Sequence, residues 1–289
     1  MKAQLSSPPP RLRQNKRRLS RVALYALIVA VVALVAFPIY WMVLSTFQPV
    51  RYALTFPPAL WFKGLDGTEF HTMFSTYAIG RWIWNSIQLA LMATAVCLVL
   101  SALGAYTLSH LRWKGKPAFG FLLLLTQMMP GAIIIVPVSR QFRDFQLYNS
   151  LPALALLQAA FALPICCWIL KNVFDSIPRE VVESALVEGC GPLGVLWRIL
   201  VPLSIPGLVA VGVVAFFFSW NEFLFANTMI NNQDMLPASV GLATMISELD
   251  TPFQQLLAGG LVFSILPVVF YIAVQRYIIS GLTAGAIKG

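Results

Sequence analysis

Long apolar stretches separated by short charged ones dominate the sequence. Six intervals free of Asp, Glu, Lys and Arg run over residues 22–50, 82–111, 117–139, 145–170, 199–221 and 251–275. A helix that crosses roughly 30 Å of hydrocarbon needs about 20 mostly apolar residues, and each interval is long enough. Polar and turn residues trim them to cores near Val22–Phe47, Asn85–Ser109, Phe119–Val138, Leu151–Leu170, Val201–Phe223 and Leu256–Ile279. The pattern predicts an all-α membrane protein with six transmembrane helices. Pro130-Gly131, Pro137, Pro164, Pro206-Gly207 and Pro267 recur within the cores. Hydrocarbon cannot replace a backbone bond lost to proline, so such sites need neighbouring helices or a water-lined cavity. They favour a bundle that moves or lines a path over a passive anchor.

Composition agrees. The 289 residues are 58% hydrophobic and only 11% charged, against about 25% charged in soluble domains. That excludes an ordinary soluble enzyme, a disordered chain and a separate soluble domain. The net charge of +9 is mostly a topology signal. With the N-terminus inside, fifteen of the twenty basic residues fall on the cytoplasmic side and five (Arg51, Lys63, Arg81, Arg140 and Arg143) on the other. This asymmetry puts both termini in the cytoplasm and makes a nucleic-acid partner unnecessary.

Residues 1–21 read as a basic cytoplasmic tail, disordered and resting on anionic lipid. The apolar run that follows is too long for the h-region of a secretory signal, so it is expected to stay as an uncleaved anchor. Residues 22–280 form the six-helix transmembrane domain and 281–289 a cytoplasmic C-terminal tail. Trp61, Trp82 and Trp84 are placed in an interfacial belt. Cys97, Cys166, Cys167 and Cys190 read as small apolar fillers, because none has a partner at metal-ligand spacing. His71 and His110 fall on opposite sides of the membrane, no His–carboxylate pair sits at membrane depth, and no catalytic residue or metal site is assigned.

The stretch from Lys171 to about Leu200 is the most informative. A tether within a bundle needs about 2–8 residues; this one is far longer. Ser176 can cap a helix whose first turn holds Pro178 and Glu180. Val182, Leu186 and Gly189 follow one face, with Val181 and Ala185 beside it, and Glu180, Ser184 and Glu188 form a polar edge. Gly189 can end this helix in a left-handed conformation and Pro192 can start the next. An amphipathic helix lying on lipid usually carries Lys and Arg on its polar face. This one carries mostly glutamate, which favours a knob that docks into another protein.

Glu183-Ser184-Ala185, then Gly189, then Ile199 and Val201-Pro202, resembles the "EAA…G…I.LP" loop of permease subunits of ATP-binding-cassette importers. Ser184 stands for the first alanine of that pattern and Val201 for the leucine before the proline. Trp220-Asn221-Glu222-Phe223-Leu224-Phe225-Ala226 is similar to the end of the fifth span in the MalG-like carbohydrate branch, and Gly281–Gly289 to that branch's C-terminal tail. The resemblance covers the chain from about Asn85 to Gly289, with about 85–280 as the permease core and 171–200 as its coupling loop.

The resemblance implies the type I importer fold with a cytoplasmic coupling helix. It implies a bacterial inner-membrane subunit of a sugar importer, working by alternating access with a homologous second permease, two cytoplasmic ATPase subunits and an extracytoplasmic sugar-binding protein. Glu183, Ser184, Ala185, Glu188, Gly189 and Pro202 then couple to the ATPase. ATP and Mg belong to the partners; the sequence holds no GxxxxGK[S/T] loop, and no cofactor is expected on this chain. The same architecture importing a glycerol phosphodiester, an osmolyte or a peptide is the alternative, and an ion-coupled transporter is a further one.

Five side chains are candidates for the substrate path. Gln127 and Gln158 can bond sugar hydroxyls or bond across helices. Trp220, Asn221 and Glu222 can contact sugar or support the adjacent outer segment. That segment, Asn227–Gln255, reads as an exposed loop, or by resemblance as one that reaches toward the binding protein. Met128-Met129 and Phe216-Phe217-Phe218 read first as packing or lipid contact.

Overall fold

A computed structural model describes residues 10–53, 55–57, 59–247 and 251–286, with side chains described from Arg21 to Arg276. The helices are α1 (Pro10–Phe47), α2 (Val50–Ala53), α3 (Thr68–Thr76), α4 (Ile79–Ser109), α5 (Lys116–Gln127), α6 (Gly131–Asp144), α7 (Leu151–Asp175) and α8 (Arg179–Val187). They continue with α9 (Pro192–Leu203), α10 (Ile205–Trp220), α11 (Leu224–Met229), α12 (Ala238–Thr244) and α13 (Phe253–Ala286). No strand occurs among the described residues.

Four helices, α1, α4, α7 and α13, are long and apolar enough to cross a membrane. The third and fifth expected spans are not continuous. The pairs α5–α6 and α9–α10 bend by 97° and 86°, and six crossings result when each bent pair counts as one. The first break has a local cause. Met128 closes α5 with a tight bond from its N–H to Leu125 O, and Pro130, which has no N–H, starts α6 from an extended conformation. The expected Phe119–Val138 core therefore straddles a corner. Likewise Val201–Leu203 belongs to α9, before the corner at Ser204, and not to the fifth span.

The chain divides into two compact units, one through His71 and one from Thr72. In the first, α1 is helical from Pro10, so residues 10–21 extend the span and are not the loose tail expected for 1–21; residues 1–9 lie outside the described residues. Side chains from Val22 to Tyr40 are exposed all round, an apolar surface that water does not tolerate at this length. Tyr40 Oη donates to Leu60 O at 2.6 Å, and the Phe47 ring lies 5.4 Å from Phe70.

In the second unit α4 packs along α7, and α10 lies against both and against α13. The α4–α7 seam is made of small side chains: Ala93, Cys97, Ser101 and Ala105 on one helix, Ala155, Ala159, Ala162 and Cys166 on the other, all buried. Small residues at three- and four-residue spacing let apolar helices approach closely in lipid. At Gly104 even a Cβ would come within 2.7 Å of Cys167 Sγ. The cysteines are free thiols filling this seam, apart from the half-buried Cys190. Phe216 and Trp220 of α10 stack on Phe270 at 4.3 Å and Phe263 at 5.0 Å of α13, so Phe216 is core packing. α13 continues beyond the expected Ile279 limit to Ala286, making residues 281–286 helix; 287–289 lie outside the described residues.

Candidate functional site

The hairpin after α7 forms as the sequence pattern requires, with one exception. Ser176 does not cap α8. It closes α7, its Oγ donating back to Val173 O at 2.6 Å, and Pro178 takes the cap position with no side-chain bond. Pro178 is extended (ψ 137°), and the residue before a proline is pushed in the same direction, so the chain restarts its helix one residue later.

α8 is held by Val182 and Ala185, both 6% exposed. The rest of the expected stripe splits: Val181 and Leu186 face outward, as does Val187. Glu180, Glu183, Ser184 and Glu188 are exposed beside them. Gly189 has φ +86°, and Gly189 N–H to Leu186 O (3.1 Å) and Cys190 N–H to Ala185 O (2.9 Å) close the helix end, the paired bonds of a left-handed glycine stop. Pro192 opens α9. A π-helical stretch at Leu196–Leu200 then leads to Pro202, at the end of α9 away from the turn. The hairpin thus displays Glu183, Ser184, Glu188 and Gly189 together, uses Ala185 as an anchor, and leaves Pro202 at its base.

A polar cluster supports that base. Ser109 Oγ donates to Asp175 Oδ1 at 2.5 Å, Lys171 pairs with the other carboxylate oxygen, and Lys116 Nζ donates to Ser109 O at 2.8 Å. His110 stacks on Tyr106. Burial lowers its pKa, Asp175 opposes that shift, and Arg179 and Lys116 reinforce it. Along the chain these basic residues look like topology markers and nothing more.

At the opposite end of the bundle Glu222 joins three elements. Its Oε1 accepts from Phe225 N–H at 2.7 Å, and its Oε2 accepts from Ala226 N–H and from Gln158 Nε2, both at 3.0 Å. Gln158, 1% exposed, also accepts from Ser219 Oγ at 2.5 Å. Ser219 went unnoticed in the sequence, although it lies three residues before Glu222, one turn away on the same face. Trp220 is buried in the α10–α13 stack. Asn221 is exposed and bonds back to Phe217 O, and Gln127 donates across to Phe161 O at 3.1 Å. The structure joins Gln158 and Glu222 and keeps Gln127, Trp220 and Asn221 apart from them.

The segment after α11 is folded, contrary to the expectation of an exposed loop. Asn85 Nδ2 donates to Asp234 O (2.9 Å) and Leu236 O (3.0 Å), and Ser86 Oγ accepts from Ala238 N–H at 2.8 Å. Asn149 Oδ1 takes the N–H groups of Asn231 and Asn232, and Arg81 pairs with Asp234. Trp82 is 4% exposed and lies directly under Gly241. It is therefore packing and not interfacial belt, unlike the exposed Trp61 and Trp84. Glu248 and Asp250 lie outside the described residues.

A strand-free bundle of apolar helices, two of them sharply broken, with an acid-edged hairpin at one end, defines a multi-pass membrane protein of the transporter type. Residues 98–283 match the binding-protein-dependent transport system inner membrane components, and the chain belongs to that family. It is 32% identical to the sulfoquinovosyl glycerol transport system permease protein SmoH of Agrobacterium fabrum, over 88% of this chain and 89% of that one. It is 31% identical to the trehalose transport system permease protein SugB of Mycobacterium tuberculosis, over 90% and 94%. The fold matches a chain in the crystal structure of a bacterial ABC transporter involved in the import of the acidic polysaccharide alginate. That match has a TM-score of 0.77 at 20% identity, covering 90% of this chain and 96% of that one.

Proposed function

We propose that this chain is one of two membrane-spanning subunits of an ATP-driven importer of a di- or oligosaccharide or a glycoside. A binding protein delivers the solute from outside, and two ATPase subunits, which carry the ATP and Mg, work from the cytoplasm. The observation that carries this reading is the hairpin α8–Gly189–α9, rigidly closed by two backbone bonds yet exposing Val181, Leu186 and Val187 beside Glu183 and Glu188. An apolar and acidic face on a stiff helix suits a cleft in another protein better than anionic lipid. The end of the bundle bearing Ser109, Lys116, Lys171 and Arg179 is the cytoplasmic one, by the excess of basic residues there, and both termini are cytoplasmic. The relatives in trehalose and sulfoquinovosyl glycerol transport systems support a sugar or glycoside as the solute.

Glu183, Ser184, Glu188 and Gly189 form the coupling face, Ala185 fixes it to the bundle, and Pro202 stands at its base, two residues before the corner at Ser204. Closure of the ATPase pair pushes this lever, and the bundle rocks between inward- and outward-facing states. The chain itself performs no catalysis. Gln158 and Glu222 brace the outer end, and Gln127, exposed at the α5–α6 break, stays a candidate for the solute path. The test is uptake of radiolabelled sugars into proteoliposomes holding this chain with its second permease, ATPase and binding protein. Uptake should need ATP hydrolysis and the binding protein together; uptake driven by an ion gradient alone would overturn the reading.

A further inference from the structure

Ser109, His110, Lys116, Lys171, Asp175 and Arg179 line a cavity of about 340 Å³ where α4 and α7 end, α5 begins and α8 starts. Its charges do not balance. Three side chains are cationic and one is anionic, and both oxygens of that carboxylate are already taken, by Ser109 Oγ and Lys171 Nζ. Lys116 directs one ammonium hydrogen at Ser109 O and keeps two in hand. Arg179 has no side-chain hydrogen bond or ion pair among the described residues. His110 is the plainest sign: both ring nitrogens are shielded from solvent and neither has a partner. Buried polar atoms are nearly always satisfied, so a bare pair in a cationic cavity needs a physical account, and an anion that completes it is one.

We propose that this cavity binds a phosphate group, held by Arg179 and Lys116 with one ring nitrogen of His110. The group would belong to an anionic phospholipid headgroup or to a free phosphate. Arginine's planar fork matches two phosphate oxygens, lysine adds a point charge, and a phosphate oxygen accepts from an imidazole N–H. The apolar runs of α4 and α7 stop near Ser109 and Leu170, so the cavity, one turn beyond the end of the second run, lies at headgroup depth, where basic pockets between spanning helices take anionic lipid heads. Lys171, over the Trp168 ring at 5.6 Å, marks the same level. Arg179 is the first residue of α8, so an anion there ties the root of that helix to the ends of α4 and α5. The proposal does not depend on which solute the protein carries.

The test is native mass spectrometry of the full chain purified in neutral detergent and titrated separately with phosphatidylglycerol, inorganic phosphate, and a glucosyl diacylglycerol that lacks phosphate. Wild type should hold one phosphatidylglycerol, and Arg179→Gln or Lys116→Gln should raise the concentration for half occupancy by about tenfold or more. Arg179→Lys should recover part of the loss, and Arg198→Gln, an exposed basic residue outside the cavity, should stay within about twofold. Displacement of the lipid by inorganic phosphate would assign the site to phosphate in general; resistance to it would assign the site to the lipid head. Equal binding by Arg179→Gln and wild type, equal loss in Arg198→Gln, or equal retention of the phosphate-free lipid would overturn the proposal. So would a chain that binds none of the probes, as expected were a partner's carboxylate the true occupant.

Discussion

Gln158 in α7 donates its side-chain amide to the carboxylate of Glu222 at 3.0 Å, and through it reaches the start of α11. Glu222 accepts two α11 N–H groups as well, so one carboxylate satisfies donors on two helices at once. Glu222→Ala strands the Gln158 amide inside the bundle, at a cost of about 1–3 kcal/mol for the unsatisfied group. Glu222→Gln should cost less, because one side-chain oxygen still accepts. Bonds across membrane helices average about 0.6 kcal/mol and reach about 1.7, so the coupling between Glu222→Ala and Gln158→Leu should fall in that range. Thermal unfolding in detergent of the two single variants and the double one measures it; simple additivity would mean that the bond contributes nothing.

Gly189 separates backbone strain from steric fit. Nothing lies within 4 Å of a Cβ built on it, yet its φ is +86°. Any loss on substitution by a small residue is therefore conformational. A non-glycine residue in left-handed backbone costs about 1–2 kcal/mol, and asparagine less. ATPase co-purification should fall in the order Gly, Asn, Ala, Val. Gly189→Arg adds a long cation to the exposed acid-edged face and should abolish docking while the chain's expression and melting stay close to wild type. Retention of the ATPase at wild-type yield by Gly189→Arg would remove the coupling role from this turn.

The segment from Asp234 to Thr244 is held by α4. Asn85→Leu removes two bonds to its carbonyls, and Gly241→Ala drives a methyl group to 2.2 Å from the Trp82 ring. Each change should loosen the segment more than the bundle. Hydrogen exchange should rise over residues 233–244 and stay unchanged at the centres of α4 and α7. Gly241→Ala should be the more severe, because an indole inside a packed core cannot yield without displacing its neighbours. Binding-protein-stimulated transport should fall with it if this segment meets the binding protein.

The all-helical membrane bundle and its four continuous spans were legible because they rest on one quantity, the length of apolar chain between charges. Gly189 and Pro192 were legible for an equally local reason: each residue restricts its own backbone. Ser176 shows the limit. A serine before Ile-Pro-Arg-Glu satisfies the rule for a helix start, but it satisfies the rule for a helix end as well, and the bond to Val173 O won. Corners of 97° and 86° at Pro130 and Ser204 depend on what the bundle offers to the freed backbone groups, which no window of residues contains. Glu222 and Asn85 illustrate the rest. Their partners lie 64 and 149 positions away, and polar side chains near a span end look alike until the fold pairs them.

Close approach at the α4–α7 seam yields a size-swap test. A Cβ at position 104 would sit 2.7 Å from Cys167 Sγ, inside contact distance, and Cys167 is itself 1% exposed. Gly104→Ala should destabilise the bundle by about 1–3 kcal/mol through overpacking, although alanine is the better helix former by about 1 kcal/mol. Cys167→Ala alone removes only a sulfur and should cost about 1–2 kcal/mol as a small cavity. In the double variant the new methyl occupies space that the sulfur left, so the losses should not add. The double variant should melt above Gly104→Ala, with a coupling of about 1 kcal/mol or more. Additive losses would show that α4 and α7 separate to admit the methyl, and the seam would then be softer than its row of small residues implies.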